Sequence, residues 1–213
     1  MLDRRRFCST LLSAAALGAA PAVWAQSDAP IHLLVGFPPG GGSDAIARLL
    51  AEKLQADLGR PVLVDNRPGA GGQLAGQQLK AAPADGTTLF LSHDHTLSIL
   101  PQVVKKPGFD PQTDFEPVGG IATFVNGLAV SGGTPARSVS EFIAWVRKQG
   151  GQAGIGIPAP ASTPEFLVQL LGKKYDLKLT PVPYKGSAPM MADMLGNQIP
   201  AGVGSVPDFI EYQ

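Results

Sequence analysis

The chain has 213 residues, 44% of them hydrophobic, which is enough to core one large domain or two small ones. Lys plus Arg and Asp plus Glu each total 17, so no excess of positive charge is available for a polyanion and nucleic acid is excluded as a partner. The 26 Gly and 20 Pro are aperiodic and interleaved with apolar runs, which predicts many turns between short elements and excludes collagen or a long disordered tract.

Residues 1–25 read as a cleaved export signal. Arg4, Arg5 and Arg6 precede an apolar stretch from Leu11 to Val23, and Val23-Trp24-Ala25 supplies a small-residue cleavage site. The stretch is too short for a bilayer core of roughly 30 Å, which points to a removed peptide and a periplasmic product. Arg4-Arg5-Arg6-Phe7 suits both the twin-arginine and the general secretory route. The single cysteine, Cys8, lies ahead of the apolar stretch, so the mature region has no thiol for a disulfide, a nucleophile or a thiolate metal site. That region carries 14 basic and 16 acidic residues.

From Gln26 onward an apolar β-type run, a Gly/Pro/Ser loop and an amphipathic helix alternate, the pattern of an α/β fold with a largely parallel sheet. Ile31 to Gly36 predicts a strand. Ser43 is the expected N-cap of a helix that carries Ile46, Leu49, Leu50 and Leu54 on one face and ends at Gly59. Val62 to Val64 predicts a second strand, Asn66 to Gly72 a loop, and the stretch through Leu74 and Leu79 a helix. Asp85-Gly86 turns into a third strand, Thr88 to Leu91. Pro101, Pro107 and Pro111 interrupt the pattern between His93 and Pro117, as a connection between lobes would. With the boundary near Gly127, residues 26–127 form a first lobe and 128–213 a second.

In the second lobe Ser138-Val139-Ser140-Glu141 reads as a capping box, with Phe142, Ile143 and Val146 facing inward. Ala153 to Ile157 predicts a strand. Ser162-Thr163-Pro164-Glu165 opens a helix with Pro in the first turn and an acid at the positive end of the dipole. Leu179 to Val182 and Ile199 to Val203 are further strands, with a helix over Met190 to Leu195 between them. Met190, Met191 and Met194 are expected in the core.

Phe37-Pro38-Pro39-Gly40-Gly41-Gly42-Ser43-Asp44 joins a strand to a helix N-terminus, where unpaired N–H groups and the helix dipole favour an anion. The same pattern also serves as a tight βα turn without a ligand. Gly36 to Ser43 nearly spells a nucleotide P-loop, but Gly42 stands where the phosphate-binding lysine belongs, which argues against ATP hydrolysis. Gly154-Ile155-Gly156-Ile157-Pro158-Ala159 resembles a dinucleotide fingerprint, yet Pro158 and Pro160 forbid the helix that must follow at once. His93-Asp94-His95 follows a strand and has no third metal ligand spaced nearby, so it reads first as a polar strand end. There is no Gly-x-Ser-x-Gly elbow.

Taken together, the segments Val35 to Asp44, Asn66 to Gly72, Ala84-Asp85-Gly86, Asp114 to Val118 and Tyr184 to Pro189 closely resemble the Bug-type receptors of tripartite tricarboxylate transporters. The resemblance implies a type II periplasmic-binding-protein fold, two lobes around a ligand cleft, with a carboxylate held by backbone N–H groups and waters. It places Pro39, Gly40, Gly41, Ser43 and Asp44 on one wall and Ala159, Ser162 and Thr163 on the other, with Tyr184 at the border. It implies a monomer without catalytic residues, metal or cofactor, whose partners are a small organic carboxylate and membrane transporter subunits. The family is longer than this chain, so the resemblance also implies C-terminal truncation and an incomplete first lobe.

Two departures bear on the ligand. Thr87 stands where the family often has an aromatic residue, and Glu165 where a histidine is common. A glutamate beside an anion site repels a second carboxylate, so the expected ligand is a monocarboxylate or carries an amide. Two other functions remain open at this stage: a sensory module presenting its ligand to a membrane kinase, and an exported α/β enzyme using His93 or His95 as general base.

Overall fold

The computed structural model describes residues 29–210, and the expected export segment lies outside them. β1 (Ile31–Val35) is a near-continuous apolar run, the composition of a strand covered on both faces. It lies parallel between β2 (Val62–Asn66) and β3 (Thr88–Leu91), with Ile31 opposite Val62 and His32 opposite Thr88. α1 (Gly42–Leu58) connects β1 to β2 and stops at Gly59, whose φ of 65° gives the left-handed turn. α2 (Gln73–Ala81) connects β2 to β3.

The expected apolar face of α1 needs one correction. Ala47 and Ala51 are buried against the sheet, with Leu50 and Leu54 beside them, whereas Leu49 is 60% exposed. The small alanines let the helix lie close, and Leu49 sits about 200° around the axis from Ala47. After β3, a π-helical turn at His95–Ile99 runs into the short α3 (Leu100–Val103), and residues 104–125 contain no helix or strand.

The second lobe runs β4 (Asn126–Val130), α4 (Val139–Lys148), β5 (Gln152–Ile157), α5 (Thr163–Tyr175), β6 (Lys178–Pro183), α6 (Ser187–Leu195), β7 (Ala201–Ser205) and α7 (Val206–Ile210). β4 was not expected, and the boundary expected near Gly127 falls inside it. The first sheet has order β2-β1-β3 and the second β4-β7-β5-β6. Read from β5, the order β6-β5-β7 repeats β2-β1-β3, so one parallel unit recurs in each lobe, with β4 added antiparallel to β7. β6 is an edge strand, where Pro181 and Pro183 remove no needed donor.

Each lobe has its own core. Ile31, Leu33, Val35, Ala47, Ala51 and Val62 fill the first. Phe142, Val146, Ile155, Ile157, Val168 and Val203 lead the second, and Met190, Met191 and Met194 form a further buried cluster with Ile199. Parallel order brings the loops after β1, β2 and β3 to one edge of their sheet, the usual seat of a ligand in such folds. Two of these loops touch: a Cβ on Gly36 would lie 2.5 Å from the Gly72 Cα, so only glycine permits this approach.

Candidate ligand-binding cleft

A cleft of about 600 Å³ opens between the lobes. The start of α1 (Gly41, Gly42, Ser43) lines one side and the start of α5 (Ala159, Ser162, Thr163) the other, with Ser187 of α6 also present. Ile46, Leu50, Leu54 and Leu89 and the segment from Pro117 to Phe124 add apolar surface, and Ser92 to His95, Asn126, Ser205 and Asp208 add polar side chains. The backbone N–H groups of Gly41, Ser43, Ser162 and Thr163 meet no protein acceptor among the described residues. Amides at two helix N-termini, in two lobes, thus border one space.

Five of the nine residues expected at the site line this cleft: Gly41, Ser43, Ala159, Ser162 and Thr163. Pro39, Gly40, Asp44 and Tyr184 are not on its surface. Asp44 is buried and braces the loop from behind. Its carboxylate accepts from Gly40 N at 3.0 Å, Arg48 Nε at 2.9 Å and Asn66 Nδ2 at 3.0 Å. Burial pushes this carboxyl upward, but the bonds from Arg48, Gly40 and Asn66 outweigh it and hold the group below the usual carboxylate range. Asn66 also donates to the Phe37 carbonyl at 3.1 Å, so β2 fixes the loop that follows β1.

On the second wall, the Ser162 hydroxyl donates to the Ala159 carbonyl at 2.6 Å, which shapes the turn ahead of α5. The Tyr184 hydroxyl donates to Asp193 Oδ2 at 2.6 Å, within its own lobe. Burial, then the bond to Asp193 and its charge, push the Tyr184 pKa up to about 12. Glu165 does not line the cleft: it accepts from Ala161 N at 2.5 Å and Gln169 Nε2 at 3.2 Å, so the repulsion expected from it has no structural basis.

Two features of the cleft escaped the sequence as binding elements. Asp208, buried on α7, accepts from Gly42 N at 2.7 Å and from the Ser205 hydroxyl at 2.6 Å, so a carboxylate from the second lobe caps α1 of the first. The contact spans 166 positions, which no local pattern reveals. The other is Ser92 to His95 at the end of β3, which the sequence did single out, though as a weak metal or base motif. The His93 ring stacks on Phe37 with centroids 4.9 Å apart and meets Phe124 edge-on at 6.0 Å. Among the described residues no group of three or more His, Cys, Asp or Glu side chains could hold a metal ion.

Two repeats of one α/β unit, each offering a helix N-terminus to a shared cleft, define the periplasmic-binding-protein fold. A family model described as "Tripartite tricarboxylate transporter family receptor" matches residues 46–212. The chain belongs to this family. Protein BugT of Bordetella pertussis is 32% identical over 188 residues, covering 86% of this chain and 56% of BugT. The solved structure of R. palustris Rpa4515 with adipate has a TM-score of 0.80 and 33% identity, over 84% of this chain and 60% of that one. MatC from Rhodopseudomonas palustris with bound malate has a TM-score of 0.72 and 26% identity, over 83% and 60%. The chain therefore spans a little over half the length of these relatives.

Proposed function

We propose that this chain belongs to an extracytoplasmic receptor that captures a small carboxylate-bearing molecule in the periplasm and delivers it to a tripartite tricarboxylate-type membrane transporter. The observation that carries this reading is the pairing of open amides at the starts of α1 and α5 across a single cleft. A carboxylate between them accepts charge-assisted hydrogen bonds from both lobes and closes one onto the other, and closure expels water and strengthens each bond. The adipate and malate held by the two R. palustris relatives are small carboxylates, in keeping with such a ligand.

Calorimetry and thermal shift with mono- and dicarboxylates test the reading. A ligand at a hundredfold above its Kd stabilises the protein by about 2.7 kcal/mol, and is recovered unchanged. Chemical conversion of a bound ligand, abolished by replacing His93 or His95, contradicts it in favour of an enzyme.

A further inference from the structure

We propose that Ser92, His93 and His95, at the end of β3, form a second recognition subsite that hydrogen-bonds an uncharged polar group, a carboxamide or hydroxyl, at the far end of the ligand. This rests on the reading of the cleft as a carboxylate receptor and names what the other end of that ligand is. Five buried side-chain polar atoms among the described residues have no hydrogen-bond partner, and four of them belong to this segment: Ser92 Oγ, His93 Nδ1, and both ring nitrogens of His95. Buried polar groups are nearly always paired; His95 Nε2 is packed against Gly71, but Ser92 Oγ, His93 Nδ1 and His95 Nδ1 are left as orphans in residues that line the cleft and mark groups kept for a ligand. Asp94 Oδ1 lies 3.7 Å from His93 Nδ1, beyond hydrogen-bonding range.

The segment is held in place. His95 is 6% exposed, and its Nε2 lies where a Cβ on Gly71 would stand 2.4 Å away, so the imidazole is wedged against a backbone that only glycine provides. The Thr96 hydroxyl donates to the Gly71 carbonyl at 2.8 Å, and a π-helical turn, a frequent companion of functional sites, starts at His95. The His93 ring stacks on Phe37, from the loop that bears the first amides.

The chemistry selects the guest. No Lys or Arg among the described residues lines the cleft, whereas Asp94, next to His93, does. Burial holds both imidazoles neutral: it lowers His93 against the opposing charges of Asp94 and Asp208, and lowers His95, with help from His93 and against Asp94, to about 4. A neutral imidazole offers one donor and one acceptor, and a serine hydroxyl offers both, which matches a carboxamide or hydroxyl. A second carboxylate at this segment would face the Asp94 charge with no cation beside it.

Calorimetry with adipate, its monoamide and hexanoate, each titrated into the whole chain and into Ser92→Ala and His93→Phe, tests the subsite. The monoamide binds at least about tenfold tighter than adipate. Both variants lose that preference because monoamide affinity falls further than hexanoate affinity, and their thermal midpoints stay level or rise because a buried unpaired group has gone. Adipate binding as tightly as the monoamide, or a preference that survives both substitutions, overturns the subsite and leaves the receptor reading standing. Failure of all three ligands to bind overturns both.

Discussion

The His95 imidazole takes up a proton near 6.5 in the unfolded chain but only near 4 in the folded one, because burial and the neighbouring His93 disfavour its charged form. Between those values the unfolded state binds more protons, so stability is fully present above about pH 6.5 and falls as acid is added. Chemical denaturation should lose about 2 kcal/mol between about pH 7.5 and about pH 5 on this account. His95→Gln should flatten that slope, and an unchanged slope would mean that the ring is solvated. Tyr184 behaves differently. Its hydroxyl is committed to Asp193, so Tyr184→Phe should cost about 1 kcal/mol of stability and leave carboxylate affinity unchanged within about twofold. A larger loss of affinity would bring that side chain back into the cleft.

α1 begins with Gly41 at the N-cap, which has no side chain to accept a hydrogen bond, and the Asp208 carboxylate supplies one from the other lobe. Asp208→Ala should therefore lower stability by about 1–2 kcal/mol, read from the urea midpoint. No change would show that the helix end needs no partner. The same contact explains a limit of sequence reading. Ser43 looked like the N-cap because serine is a strong local signal, but the helix starts at Gly42, whose N–H is satisfied by a residue 166 positions away. α4 was legible because its cap is local: the Ser138 hydroxyl accepts from Glu141 N at 3.2 Å. The Glu141 side chain reaches back to Arg137 N, one residue before the position that a strict capping box uses. β1 and β3 were legible from continuous apolar runs bounded by turn residues. β4 was not, because Asn126-Gly127-Leu128-Ala129-Val130 has weak strand propensity and is a strand through its pairing with β7.

At the scale of the molecule, duplication of one βαβ order is what makes a cleft, because it sets the loop-bearing edges of two sheets against each other. Glycines and prolines in the loops after β1 and β5 announced walls that admit a ligand, and five expected residues do line the space. Loop composition did not announce which members turn inward. Asp44 and Tyr184 have partners inside their own lobes, and pairing of that kind is decided by packing. The central claim is that amides from both lobes converge on one carboxylate. Amide NMR during a titration with adipate or its monoamide tests it most directly. The account predicts that Gly41, Ser43, Ser162 and Thr163 shift together along one saturation curve with a single Kd; shifts confined to one lobe, or two curves with different constants, would contradict it.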